Sequence, residues 1–376
     1  MAPMRIAVAM SGGVDSSVAA LLLAREGADV VGLSMHLWDH DRDGTGAAEG
    51  RCCTLDDLGT ARRAAEAIGI PHYVLDLTER FKEAVVKPFV VDYLEGRTPI
   101  PCTVCNTEVK FRSLLARAEA LGCERVATGH YARIEGDEAT GEIRLLKARD
   151  LSRDQSYFLY DLSPAQLSRA LFPLGELLKS DVRRIARDAG LPNWDKPDSQ
   201  EICFVSSGEG PAGFIRREAE ALGVSLPSFA GARAGPIADS SGRVVGRHEG
   251  TYPYTVGQRR GLGVASDRPL YVIDVRPEEG RIVVGSDDDL LVRDVPVEKV
   301  NLLVPWPAGG RMPVLARIRS RHAEQPALLE LTPDRSLVSF EEPVRAPAPG
   351  QSAVFFDPAR PDRVVGGGVI TRRHSA

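Results

Sequence analysis

Met4-Arg5-Ile6-Ala7-Val8-Ala9-Met10-Ser11-Gly12-Gly13-Val14-Asp15-Ser16-Ser17 is the stretch on which the fold turns. Residues 5–10 form an apolar, partly β-branched run of strand length. Ser11-Gly12-Gly13 ends it, and apolar residues then return at Val18, Leu21 and Leu22 with helical spacing through Arg25. The reading is strand, glycine turn, helix. The pattern recurs downstream: Asp29 to Trp38 predicts a second strand, Asp56 to Ile68 an Ala-rich helix, and His72 to Asp76 a third strand. Glu108 to Leu121 predicts another helix and Arg125 to Thr128 another strand. Strands alternating with helices predict an α/β, doubly wound parallel sheet, in which sites gather at the strand C-termini, here near Ser11, Met35 and Gly129.

Beyond residue 208 the texture changes. Short Val/Ile-rich runs (Leu270 to Val275, Arg281 to Val284, Val314 to Ile318, Ser352 to Phe356) alternate with Gly, Pro and Asp. They predict two small β-rich domains, the last barrel-like. At ~150 residues per domain, a chain of 376 residues holds about two and a half. The boundaries read 1–208, 209–286 and 287–376. Hydrophobic residues at 43% and charged residues at 26% exclude a disordered, collagenous or coiled-coil chain. The net charge of −5 gives no global positive field, so any nucleic-acid surface is local. The N-terminal apolar run is too short for a secretory signal and no stretch approaches the ~18 residues of a membrane span, which predicts a cytoplasmic protein with no membrane attachment. All six cysteines lie at or before Cys203; in a reducing compartment they read as site residues rather than staples.

Two glycines allow close backbone approach to a ligand, and the amides and dipole of a helix start favour an anion. The turn lacks GxxxxGK[ST] and its lysine, which disfavours transfer of a terminal phosphate. It resembles the PP-loop of ATP pyrophosphatases, which cleave between the α- and β-phosphates and adenylate a substrate oxygen. The resemblance implies ATP with Mg²⁺ as cofactors, bound by Ala9, Met10, Ser11, Gly12, Gly13, Val14, Asp15 and Ser16. Ser11, Asp15 and Ser16 would lie near the phosphates or Mg²⁺, with Met35 and Gly129 at the adenine or ribose.

Thr98-Pro99-Ile100-Pro101-Cys102-Thr103-Val104-Cys105-Asn106 reads as a Pro-bounded loop carrying two thiols before a helix, whose dipole lowers a thiol pKa. A CxxC alone leaves metal, redox and incidental readings open, and Cys203, between Ile202 and Phe204, also reads as an ordinary buried thiol. A wider resemblance covers nearly the whole chain. Arg51-Cys52-Cys53, Gly129-His130-Tyr131-Ala132-Arg133, Arg153 to Leu159, Asp198 to Phe204, Gly257 to Gly263 and Pro349-Gly350-Gln351 resemble, in order, the tRNA-specific 2-thiouridylase family. That implies a tRNA-uridine 2-sulfurtransferase: ATP adenylates the C2 oxygen of the wobble uridine, releasing pyrophosphate, and sulfur then displaces AMP. The implied partners are tRNAs such as those for Lys, Glu and Gln, and a sulfur donor of cysteine-desulfurase or persulfide-relay type. By the same resemblance Cys203 carries a persulfide. Cys105 is the second catalytic thiol, releasing sulfur by disulfide formation or attacking the base first. Ile100, Pro101, Cys102, His130, Arg153, Asp154, Gln155, Arg319, Ser320 and Gln351 are the implied base and tRNA contacts.

The chain departs from the family at Cys102, where many members carry Asp, and at Ile100 in place of Asn. Cys102, Cys105 and Cys203 then match a three-cysteine [4Fe-4S] ligand set with one iron left for hydrosulfide, against a persulfide pair as the alternative. Cys52 and Cys53 carry no assigned chemistry, and Cys123 reads as core. Arg259-Arg260 and Arg311, Arg317, Arg319, Arg321 and His322 are local basic clusters. On one strand Arg317, Arg319 and Arg321 would share a face and bind phosphate, with Lys110, Arg153 and Gln155 nearer the anticodon loop and the wobble base splayed out for reaction. Ser320 stands where the family pattern has Tyr. The rival readings are a PP-loop enzyme that adenylates a small substrate for attack by an amine, an iron-sulfur electron carrier, and a non-catalytic RNA-binding module.

Overall fold

The computed structural model describes residues 3–39, 55–137, 141–198, 202–206, 208–332 and 336–372. It divides into two compact units. The first comprises Met1–Val85, Cys102–Gly208 and Asp362–Val364, and the second Val86–Pro101, Glu209–Pro361 and Val365–Ala376.

The first unit is built on a parallel sheet. Its strands are β1 (Arg5–Ala9), β2 (Asp29–His36), β3 (His72–Asp76), β4 (Arg125–Thr128) and the short β7 (Ala170–Leu171), in the order β3-β2-β1-β4-β7. Ile6 to Ala9 and Val30 to Met35 are buried without alternation, as expected of strands covered on both faces. Helix α1 (Val14–Arg25) starts at Gly13, which is extended at φ −80° and ψ 156°, and carries Asp15 in its first turn, where a carboxylate suits the helix dipole. Val18 and Leu21 of α1, Ala61 and Ala64 of α2 (Leu55–Ile68), and Val182 and Ala186 of the Lys179–Asp188 helix pack in one core with Ile6 and Val8. A hairpin that the sequence pattern did not announce, β5 (Ala132–Gly136) with β6 (Ile143–Lys147), pairs in turn with Arg363 and Val364.

The helix expected from Glu108 begins earlier. Pro101–Val104 is α-helical, Cys105–Phe111 winds as a wide π-helical turn, and Arg112–Ala120 is α-helical again. Pro101 suits the first helical position, where its missing N–H would have no intrahelical partner. Cys102 and Cys105 therefore sit on a helix, not on a loop before one.

In the second unit β8 (Gly235–Asp239), β9 (Val244–His248), β10 (Tyr271–Arg276) and β11 (Arg281–Gly285) form one sheet over Ile237, Val272, Val275, Ile282 and Val284. The six strands β12 (Leu291–Leu302), β13 (Arg311–Arg317), β14 (Gln325–Leu331), β15 (Ser336–Arg345), β16 (Ser352–Phe356) and β17 (Arg363–Ile370) close into the expected barrel through a β12–β17 pairing. Val314, Ala316, Leu329, Val338, Phe340 and Phe355 fill it, the inward half of a period-two pattern.

The expected arginine face is corrected here. β13 ends at Arg317, and residues 318–322 form bends and a turn, so Arg317, Arg319 and Arg321 share no strand face. Arg317 pairs with Glu324 and stacks over Phe356 at 5.2 Å, Arg319 donates to the Ala346 carbonyl at 2.6 Å, and Arg321 is exposed.

Candidate nucleotide and thiol site

The strand order reverses between β1 and β4, the switch point at which an open α/β sheet leaves a crevice at its strand C-termini. Ala9 pairs with Leu33 on one side and Thr128 on the other. Met10 to Gly13 and Gly129 therefore emerge side by side, with Met35 buried near the end of β2 on the same sheet edge. Both glycines are sterically required. Gly12 has φ +76°, and a Cβ on it would lie 2.3 Å from the Asp57 carbonyl oxygen; a Cβ on Gly129 would lie 2.7 Å from Ser16 N. Ser11 N–H donates to Ser16 Oγ at 3.2 Å, while the Ser16 and Ser17 hydroxyls donate to the Gly13 carbonyl at 3.0 and 3.2 Å. The ten sequence-expected nucleotide residues thus share one sheet edge.

Residues that no local motif marked complete this edge. Asn193 Nδ2 donates to the Gly12 carbonyl and to Ser17 Oγ, each at 3.0 Å, and Lys196 Nζ reaches the Gly12 carbonyl at 3.4 Å while pairing with the buried Asp57. Lys179, nine-tenths buried at the start of its helix, lies 2.7 Å from both oxygens of Asp15 and 2.7 Å from Asp198. Tyr131 donates its hydroxyl to Asp15 at 2.9 Å; burial, then the Asp15 charge, pushes the phenol pKa up, so it remains a donor. Burial pushes the Asp198 carboxyl up, but Lys179, Arg153 and Arg183 outweigh it and the net shift is down. Two lysines of the segment 179–196 lie against this turn, Lys179 carried there by the packing of the Lys179–Asp188 helix on α1.

Cys105 is buried in the wide helical turn, a geometry common at functional sites, and Cys102 is exposed one turn earlier. Asn106 beside it donates to the Phe158 carbonyl at 3.0 Å. Cys203 is partly buried; its neighbour Phe204 packs edge-on to Phe81 at 5.6 Å and against Trp38, just beyond β2, at 6.2 Å. Among the described residues, no group of three His, Cys, Asp or Glu side chains is arranged to hold a metal ion. Cys102 is exposed, Cys105 buried and Cys203 partly buried, and the three are not arranged as the ligand set of a [4Fe-4S] cluster. Cys52 and Cys53 lie outside the described residues, and Cys123 is core.

His130 bonds Thr128 Oγ1 through Nδ1 at 2.7 Å; burial, with Lys110 adding to it, holds its pKa well below 6.5. The Arg153-Asp154-Gln155 run divides its labour. Asp154 accepts from Ala148 N–H and Ser156, Gln155 exchanges hydrogen bonds with the Tyr131 backbone, and Arg153 pairs with Asp198 at 2.8 Å. Within the second unit Ile100 is half-buried and Pro101 buried, Gln351 donates to the Thr98 carbonyl at 2.6 Å, and the Ser320 carbonyl accepts from Arg317.

Residues 4–207 match the family described as tRNA methyl transferase HUP domain, 225–286 its PRC-barrel domain, and 292–370 the aminomethyltransferase beta-barrel domain. A tRNA-specific 2-thiouridylase MnmA from Solibacter usitatus (strain Ellin6076) is 51% identical over 97% of this chain and 98% of its own. One from Koribacter versatilis (strain Ellin345) is 48% identical over the same shares. Among solved structures, an NMN synthetase from Francisella tularensis is similar at 16% identity and a TM-score of 0.32, covering 59% of this chain and 73% of that one. Among the described residues no helix is long and apolar enough to cross a membrane. With three domain matches and near-full-length relatives at about half identity, the chain belongs to the tRNA-specific 2-thiouridylase family.

Proposed function

We propose that this protein is an ATP-dependent tRNA-uridine 2-sulfurtransferase acting on the wobble uridine of tRNAs such as those for Lys, Glu and Gln. The observation that carries the reading is the nucleotide edge itself. A glycine turn at the sheet's switch point, closed against Gly129 and flanked by Lys179 and Lys196, is built to grip pyrophosphate. Family membership supports tRNA as the second substrate and the cytoplasm as the place of action.

In the reaction we assign, the uridine C2 oxygen attacks the α-phosphorus of ATP and pyrophosphate leaves. Loop amides and the two lysines stabilise the charge that develops on the phosphates, and Asp15 is the carboxylate nearest to serve Mg²⁺ entering with ATP. The terminal sulfur of a Cys203 persulfide then attacks C2. The Cys105 thiolate attacks the Cys203 sulfur, forming a Cys105–Cys203 disulfide and leaving the transferred sulfur on the base as AMP departs with the original oxygen. A thiol reductant resets the pair, and a desulfurase or persulfide-relay protein reloads Cys203. Cys102, His130, Arg153, Asp154 and Gln155, with Ile100, Pro101, Arg319, Ser320 and Gln351 of the second unit, are the proposed RNA-contacting positions. No step runs through an iron-sulfur cluster.

The test uses purified protein, ATP, unmodified tRNA and a persulfide donor. Pyrophosphate release that depends on tRNA, with 2-thiouridine detected by mass spectrometry, is the expected result. Cys203→Ala keeps pyrophosphate release and loses 2-thiouridine; full thiolation by that variant would remove Cys203 as the sulfur carrier, and pyrophosphate release without any 2-thiouridine from the unaltered protein would return the choice to an enzyme that adenylates for an amine.

A further inference from the structure

Asn193 lies outside the segments that carry the family resemblance above, yet it is 3% exposed and sits directly against the glycine turn. Its amide nitrogen donates to the Gly12 carbonyl and to Ser17 Oγ, both at 3.0 Å. The Ser17 hydroxyl has one proton, which it gives to the Gly13 carbonyl at 3.2 Å, so at Ser17 the Asn193 amide must be the donor. The Gly12 carbonyl has only lone pairs to offer. Both neighbours therefore fix the Asn193 amide with nitrogen toward the loop, and turning it over would set oxygen against oxygen.

A trans peptide points its C=O and N–H in opposite directions. With the Gly12 oxygen held by Asn193 and Lys196, and the Gly13 oxygen held by Ser16 and Ser17, the N–H groups of Gly13 and Val14 are turned away from that side. Glycine at φ +76° lacks the side chain that would otherwise restrict the peptide before Gly13 to one orientation, so the loop needs an outside group to hold that direction. The Asn193 carbonyl oxygen is buried with no hydrogen-bond partner. Burying an unmet acceptor is unfavourable, and the residue's placement is explained by what its nitrogen does rather than by what its oxygen does.

We infer that Asn193 is a positioning residue for the nucleotide: it sets the direction of the Gly12–Gly13 peptide so that the turn presents amide hydrogens to the phosphates of ATP. The inference rests on the nucleotide reading of this edge and extends it to one side chain. It separates the phosphates from the base, because the peptide direction bears on an anion and not on adenosine.

Binding of ATP, inorganic pyrophosphate and adenosine to the full-length protein and to N193A, N193D and N193S, measured by calorimetry, tests it. Asn193→Ala weakens ATP and pyrophosphate about tenfold, the scale of one well-placed hydrogen bond, and leaves adenosine unchanged. Asn193→Asp, equal in shape but without donors, weakens them at least as much, and Asn193→Ser, keeping one donor, recovers part of the loss. Unchanged ATP affinity in N193A and N193D, or equal losses for ATP and adenosine, overturns the inference. Should N193A not fold, the N193D and N193S comparison decides by the same criteria. Failure of the unaltered protein to bind ATP or pyrophosphate would instead remove the nucleotide reading beneath it.

Discussion

Lys179 Nζ lies 2.7 Å from each carboxylate oxygen of Asp15, joining the glycine turn to a helix 164 residues further along the chain. The same ammonium touches Asp198, which Arg153 and Arg183 also hold. One buried cation thus balances two carboxylates beside the crevice proposed for the phosphates. Removing it leaves Asp15 with the Tyr131 hydroxyl and places uncompensated negative charge where ATP must bring more. Lys179→Met is expected to cut the rate of pyrophosphate release about a hundredfold, on the scale of losing an electrostatic stabiliser, and to raise the ATP requirement. Lys179→Arg should keep part of both. Steady-state pyrophosphate release across an ATP series reads the two effects separately, and a normal rate for the Met variant would contradict the assignment.

Gly129 tests the nucleotide edge from the opposite strand. Any side chain there meets backbone, at 2.7 Å from Ser16 N and 2.9 Å from Asp15 C, which cannot rotate aside as a side-chain tip can. Gly129→Ala should cost about 1–3 kcal/mol of stability, the usual range for overpacking, and weaken ATP binding as α1 is displaced. Gly122, at φ +73° with open space around it, is the control: Ala there strains only the local backbone and should leave ATP binding unaltered. Thermal melts with and without ATP compare the two.

His130 gives a pH signature. Its folded pKa is held well below the unfolded value of 6.5, chiefly by burial. The unfolded chain therefore takes up a proton at this position, as pH falls below 6.5, before the folded chain does. Stability from the neutral ring is complete above pH 6.5 and is lost on acidification, by up to about 1.4 kcal/mol per pH unit. His72, His248 and His322 are shifted in the same direction, so the acid slope of the wild type is a sum. Denaturant unfolding at pH 7.5, 6 and 5 should show a shallower acid loss for His130→Gln than for the wild type, and equal slopes would count against the burial argument.

Legibility in the sequence followed the range of the interactions. Strand, turn and helix from Arg5 to Arg25 were readable because the period of the apolar residues changes across Gly12-Gly13, and β3 was readable to the residue. The barrel was readable as a texture of short alternating runs. Lys179, Asn193 and Lys196 were not, since nothing in their local sequence distinguishes a lysine on a solvated helix from one brought against Asp15 by helix packing. Nor was the winding at Cys105, where a CxxC after two prolines reads as a loop and the second of them, Pro101, instead opens a helix. Period two also misled at Arg317, Arg319 and Arg321. Alternation says which face residues share only while the strand continues, and β13 stops at the first of the three.

That stop separates two arginines that the sequence treats alike. Arg317 is 12% exposed, paired with the 19%-exposed Glu324 and stacked on Phe356, so its loss leaves a largely buried Glu324 carboxylate without this partner. Arg317→Ala should therefore destabilise the fold by about 3 kcal/mol, the usual scale for breaking one side of a buried pair, and affect tRNA binding mainly through that loss. Arg321 is exposed on the turn. Arg321→Ala should leave the melting temperature within a degree or two, as surface substitutions usually do, while weakening tRNA binding and reducing its salt slope by about one. Melting curves and salt-dependent tRNA binding on both variants give opposite patterns if the turn, rather than the strand, carries the phosphate contact; an Arg321 variant that binds tRNA with an unchanged salt slope would remove that residue from the RNA surface.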